Sequence, residues 1–229
     1  MAWPPVTALR WDDTHRLIPD AYARVDERLL TPLAGIDGDL DALVALSGAT
    51  NRRLLVQNGR MPSGIHADEL VFGVPEWPIV NAAFCYPNPN GARFSGPDRG
   101  AWYAGRELET SLAEVAFHKS VELAETGWWE LSVVYQDFLA DVHGPFHDLR
   151  RAGDRRARAC LSPSSYEAGQ ALANRLIDAA SLGVVYPAVR RPGGEAAACF
   201  RPALVNNVRC GERHRLTWRG SPEPELGLP

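Results

Sequence analysis

The sequence predicts an α+β fold, a single domain built on a mixed, partly antiparallel sheet. Three observations lead there. Strand-like and helix-like stretches follow one another without the regular alternation of a doubly wound protein. Two late strands, in VVYPAV and AAACF, flank the turn RRPGGE and so read as an antiparallel hairpin. At 229 residues, with 45 % apolar and 23 % charged side chains, the chain is long enough to bury a sizeable core.

Taken in order, residues 1–35 are proline-punctuated and arginine-rich and are expected to form an N-terminal arm packed on the core, a strand or short helix across the main body at 36–220. DGDLDALVALSGATN reads as a helix, with aspartates at its start and Leu40, Leu43, Val44 and Leu46 on its apolar face. WPIVNAAFCY is apolar and bounded by prolines, which predicts a buried strand, and AWYAG predicts a second, short one. Ser111 and Glu114 then fit a capping box, opening a helix whose inner face carries Leu112, Val115, Ala116 and Leu123.

WWELSVVYQDFLADV alternates Trp129, Leu131, Val133 and Tyr135 on one side, as a strand does. SPSSYEAGQALANRLIDAASLG is the clearest helix, capped by Ser162 or Ser164 and ended by Gly183. The hairpin follows, then a strand at RLTW. The prolines and glycines of residues 221–229 predict a loose tail.

Composition excludes some classes of function. A formal net charge of −4 argues against nucleic-acid binding by bulk electrostatics. Lys119 is the sole lysine, so nearly all positive charge is arginine, the side chain whose planar fork grips phosphates. The four cysteines, Cys85, Cys160, Cys199 and Cys210, lack CxxC spacing and read as reduced thiols. The start shows no basic region followed by an apolar stretch, and no apolar run is long enough to span a bilayer; a soluble cytoplasmic protein is expected. His143 and His147, with Asp141 and Asp148, invite a metal reading, but Gly144 and Pro145 break any helix that would align them, and no metal is expected. The arginines of RRAGDRRARAC read as a solvated loop or helix face, and His118 as packing or surface.

The chemistry-bearing stretch is GARFSGPDRGAWYAGRELETSLAEVAFH, Gly91 to His118. Arg93 follows a turn-rich approach in which Gly91 lets the backbone come close to a ligand, so it could grip a diphosphate; a solvated hairpin arginine fits the same spacing. Strand alternation sends Trp102 and Tyr103 to opposite faces, one to the core and the other to a pocket or to ordinary packing. Glu114 is either a capping partner of Ser111 or a carboxylate for a ribose hydroxyl or a developing sugar cation, with Glu107 and Glu109 as nearby competitors.

ATNRRL, then this stretch, then GVVYPAVRRPGGEAAACFRP, in this order, resemble the RES domain, named for an arginine, a glutamate and a serine. The resemblance runs from RLIPDAY to LTWRG, nearly the whole chain. It implies a fold resembling ADP-ribosyltransferase toxins. It also implies the activity of a toxin from a bacterial toxin–antitoxin pair, with an Xre-like antitoxin as partner. The substrate would be NAD, broken at the nicotinamide–ribose bond, with ADP-ribose passing to water, phosphate or a protein.

By motif, the family arginine falls on Arg93, the pocket tyrosine on Tyr103 and the glutamate on Glu114. A second arginine falls on Arg53, with Arg52 beside it as the alternative. The departure is Ala188, which stands where the family serine stands. Alanine cannot hydrogen-bond a ribose or phosphate oxygen, so an impaired enzyme is expected. The rival reading is a module that binds a nucleotide or an antitoxin without turnover.

Overall fold

The computed structural model describes residues 4–23, 64–151 and 153–229. The long alternating runs become the long strands of one sheet. β1 (Val6–Pro19) buries Leu9 and Trp11, then slips by one residue at a bulge where Asp13 takes φ 55°, so that Thr14 returns to the same face beyond it, while Leu17 is buried on the opposite face. α1 (Asp20–Ala23) follows directly.

β1 pairs antiparallel with β3 (Glu130–Asp148) from Val6↔His147 to Pro19↔Tyr135. The expected N-terminal arm is therefore, at residues 6–19, a member of the sheet. The helix expected in DGDLDALVALSGATN lies outside the described residues, as do Arg52 and Arg53.

WPIVNAAFCY is not a strand. It forms α2 (Trp77–Cys85), with Pro78 in the first turn and Ile79, Val80, Phe84 and Cys85 buried. A short apolar run fits either period, and here tertiary packing chose the helix. The Asn81 amide donates to Val71 O at 2.8 Å and accepts from Val71 N at 3.1 Å, which supplies the partners a buried amide needs.

β2 (Trp102–Gly105) is the expected short strand, and α3 (Leu108–Thr126) the expected helix. α3 starts earlier than the capping-box reading allows. Its N-cap is Glu107, and Ser111 lies inside the helix, where its hydroxyl donates to His15 O at 2.7 Å and accepts from Gly105 N at 3.1 Å. Ser111 is thus a joint between α3, β1 and β2, and Glu114 is left without a capping role.

α4 (Arg155–Cys160) and α5 (Glu167–Asp178) come next. The α5 cap is Tyr166; Ser162 instead accepts from Ser164 N and Ser165 N, and Gly183 begins a strand instead of ending the helix. β4 (Gly183–Pro187) and β5 (Glu195–Cys199) form the expected antiparallel hairpin, β6 (Val205–Arg219) extends far beyond RLTW, and β7 (Glu225–Gly227) pairs with β6. The tail expected to be loose thus holds a sheet strand at residues 225–227.

The seven strands run in the order β1-β2-β5-β4-β3-β6-β7, and β1 pairs with β3 as well, so five strands close a ring. Among the described residues only β3–β4 is parallel, and the sheet is mixed and mostly antiparallel, as the sequence predicts. Alternation along the hairpin sends Val185 and Ala197 to a core with Trp102, Phe84 and Phe146. It sends Tyr186, Ala196 and Ala198 to a second core with Phe94, Leu176 and Phe200. α3 covers a third cluster of Leu112, Leu123, Tyr135 and Trp218, where Leu131, Val133 and Trp129 also pack. Cys85, Cys160 and Cys199 are buried thiols and Cys210 an exposed one. Among the described residues no helix is long and apolar enough to cross a membrane.

Candidate active site

A cleft of about 870 Å³, within the range of small-molecule sites, opens between α3, the loop after α2, the α4–α5 loop and the β4–β5 hairpin. Arg93, Tyr103 and Glu114 all line it.

The loop after α2 is a tight turn closed by the Ala92↔Ser95 bridge. Gly91 sits there at φ 69°, and a Cβ would stand 2.5 Å from Ser95 O, so glycine is required by both conformation and space. The Gln170 amide of α5 donates to Asn90 O and Ala92 O, each at 3.1 Å. Phe94, fully buried, packs edge-on against Tyr186 at 4.8 Å between centroids.

This fastening turns Arg93 inward. Only 6 % of it is exposed. Its Nη1 donates to Ser162 O at 2.6 Å and more weakly to Cys160 O at 3.4 Å, and its guanidinium carbon lies 4.9 Å from the Tyr166 ring centroid. Among the described residues no carboxylate forms an ion pair with Arg93. A buried cation held by carbonyls and a ring face keeps its charge and can receive an anion.

Tyr103 emerges on the face of β2 opposite Trp102, as alternation predicts. Its hydroxyl accepts from Phe94 N at 2.9 Å and meets Ser95 Oγ at 3.1 Å. Burial pushes the phenol up to about 12, so it is a neutral ring and hydroxyl. Tyr186, also in the wall, is likewise pushed well above the ordinary phenol value, by burial first and by the nearby Glu114 charge.

Glu114 projects from the second turn of α3 and is partly buried. Desolvation raises its carboxyl above the ordinary value, while Arg93, Arg190 and a hydrogen bond from the Arg190 backbone N–H pull it partly back. His118, one turn on, sets Nε2 3.7 Å from Glu114 Oε2 and lines the cleft. Burial and the same two arginines lower its pKa, so the imidazole is neutral at physiological pH.

Ala188 is placed differently. It is buried in the hairpin loop, donates its N–H to Gly194 O at 2.8 Å, and is not among the residues lining the cleft. A Cβ on Gly194 would sit 3.3 Å from the Ala188 Cβ and 2.6 Å from Thr110 Oγ1, so position 188 lies just behind the wall that Thr110 faces.

The sequence reading did not single out Arg16 or Tyr166. Tyr186 and Arg190 stand at the two ends of YPAVR, at the tyrosine and basic positions of the resemblance, and were given no role. All four line the cleft, as does His118, which was read as packing or surface. The spacing of His118 one helical turn after Glu114 could have found it. His143 Nε2 meets Asp12 Oδ1 at 2.8 Å and His147 Nδ1 meets Pro4 O at 2.9 Å. Among the described residues no group of three or more His, Cys, Asp or Glu side chains is arranged to hold a metal ion.

Chemically, the arrangement can bind an anion at Arg93, stack a planar group on Tyr103 or Tyr166, and set a carboxylate against developing positive charge.

Over 92 % of its length the chain is 26 % identical to the uncharacterized protein y4oC of Sinorhizobium fredii, covering 84 % of that protein. A solved structure, the MbcT–MbcA toxin–antitoxin complex of M. tuberculosis, contains a chain 13 % identical to this one. That alignment covers 92 % of this chain and 87 % of that one, with a TM-score of 0.48. The RES domain model matches residues 70–219, which hold Arg93, Tyr103, Glu114 and every other cleft residue except those from β1. Spanning well over half of the sequence, that match places the chain in the RES domain family.

Proposed function

We propose that this chain is the toxin of a bacterial toxin–antitoxin pair, acting in the cytoplasm by breaking the nicotinamide–ribose bond of NAD. The observation that carries this reading is the convergence of Arg93, Tyr103 and Glu114 on one cleft, with Arg93 buried and without a carboxylate partner among the described residues. Membership of the RES domain family supports it.

In this mechanism Arg93, and Arg53 by the family pattern, hold the diphosphate. Tyr103 packs on the nicotinamide or its ribose. The C1′–N bond breaks with its electron pair passing to the ring nitrogen, so nicotinamide leaves neutral and needs no general acid. The sugar takes on oxocarbenium character, which the Glu114 carboxylate stabilises. The acceptor oxygen then bonds to C1′ and releases its proton to solvent. The acceptor is water, phosphate or a protein nucleophile, making the enzyme a glycohydrolase, a phosphorylase or an ADP-ribosyltransferase. Its protein partner is an Xre-like antitoxin that silences the site.

Ala188 favours a second reading, a binding module without turnover. Both are tested by nicotinamide release from NAD, with Ala188→Ser alongside and phosphate present or absent. Release that rises in the serine variant supports a weakened enzyme, and its phosphate dependence names the acceptor. Binding of NAD by both proteins with no release supports the module. Arg93→Ala and Glu114→Ala are expected to abolish release while remaining folded; an active, folded Glu114→Ala variant would sink the mechanism.

A further inference from the structure

Three arginines line the cleft, and they are held in one manner. Arg16 donates from Nη1 to Tyr103 O at 3.1 Å and lies 4.8 Å from the Trp102 ring centroid. Arg93 uses Cys160 O, Ser162 O and the Tyr166 ring. Arg190 donates from Nη2 to Pro163 O at 2.6 Å, and its guanidinium carbon lies 3.4 Å from the Phe117 ring centroid. Among the described residues none of the three forms an ion pair with a carboxylate.

Other arginines of the sheet and its loops do form such pairs. Arg191, next in the chain, pairs with Glu107 at 3.3 Å, Arg99 with Glu69 at 2.8 Å, and Arg106 with Glu195 at 2.8 Å. Carbonyls and ring faces orient a guanidinium without neutralising it. The three cleft guanidiniums are therefore without a direct ion pair among the described residues, although Glu114, Glu122 and Glu125 line the same cleft, whereas Arg191, Arg99 and Arg106 are each paired directly.

Arg93 and Arg190 are also neighbours, because Ser162 O and Pro163 O, which they respectively grasp, belong to consecutive residues. Both charges act on Glu114 and on His118, so the pair flanks the carboxylate on which the proposed chemistry turns. Two like charges held close together repel, and the arrangement gains stability when an anion with two negative groups enters between them.

We infer that Arg190 is a further phosphate-binding residue, which together with Arg93 clamps the diphosphate of the substrate, while its backbone N–H orients Glu114. This inference rests on the reading of the cleft as a dinucleotide site.

The test is titration of the purified protein with ADP and, separately, with adenosine, which lacks the diphosphate. Arg190→Ala should weaken ADP binding roughly tenfold or more, as expected for losing a charge-assisted hydrogen bond, and leave adenosine binding unchanged. Arg190→Lys should recover part of the loss, because lysine restores the charge without the planar fork. Arg191→Ala, which removes a cation outside the cleft lining, should bind ADP as the parent does. Melting curves of each variant check that the fold is retained. If the parent binds ADP and Arg190→Ala binds it equally well, the inference is overturned and the dinucleotide reading stands. If the parent binds neither ADP nor NAD, the dinucleotide reading fails, and this inference with it.

Discussion

In the proposed mechanism Glu114 combines a chemical duty with a cost to the fold. Burial raises its carboxyl above the ordinary value, so the native state favours its protonated form. The sign follows from linkage: stability from this group is full below the pKa of an unfolded glutamate and is lost as pH rises through the raised native value. Glu114→Gln should therefore melt above the parent at neutral pH, and the difference should shrink as pH falls; a thermal series across pH measures it. In the parent, nicotinamide release should gain activity with pH through an acid limb lying above that of an ordinary glutamate, since the proposed mechanism uses the ionised form. Tyr103→Phe is the complementary case. It strips the acceptor from the buried Phe94 N–H and should cost about 1–3 kcal/mol in a denaturant titration. Of the site residues, Arg93, Tyr103 and Glu114 were legible because they sit in one continuous motif. Arg190 was visible as the last residue of YPAVR but without a role, because an arginine in a hairpin shows no partner until the loops that hold it are placed.

At the scale of elements, the site depends on how closely α5 approaches the Arg93 turn. A Cβ on Gly169 would stand 2.2 Å from Arg93 O, so the helix can lie against the turn only with glycine there. Gly169→Ala should push the two apart, lowering stability by about 1–3 kcal/mol and nicotinamide release along with it. A variant with unchanged melting and full activity would show that the turn does not depend on this contact. The elements themselves were unequally legible. β3, the β4–β5 hairpin and the inner face of α3 follow from strict periodicity, which burial then enforced. The α2 segment was misread because ten residues, apolar but for Asn81, fit both periods. The start of α3 was misread because Ser111 makes its bonds to β1 and β2, partners far off in sequence or set by folding.

Across the whole molecule, one ionic knot joins distant parts of the chain. Glu69, in a turn of 3₁₀ helix at Ala67–Glu69, pairs with Arg99 through two 2.8 Å hydrogen bonds and also with Arg201, while Arg99 donates to Phe200 O. Although burial opposes it, these partners lower the Glu69 carboxyl to about 2. Its stability is present above the pKa of an unfolded glutamate and is lost as pH falls through the native value, so the knot loosens between about pH 4.5 and 2. Glu69→Gln leaves Arg99, 8 % exposed, without its counter-charge and should destabilise the protein by about 3–5 kcal/mol at neutral pH. Because the loss is of a native ion pair, the variant and the parent should converge in acid. Urea titrations at neutral and low pH read both effects.

By itself the sequence determined the class of fold, the family and three residues of the cleft, because periodicity and motif order are properties of contiguous residues. Tertiary structure alone decided that β1 closes the ring of strands, that residues 225–227 join the sheet, and that position 188 lies behind the cleft wall. It alone left three arginines facing that cleft without a direct ion pair among the described residues. Each of these outcomes depends on partners brought together from remote parts of the chain, and no local pattern of side chains encodes which remote partner will arrive.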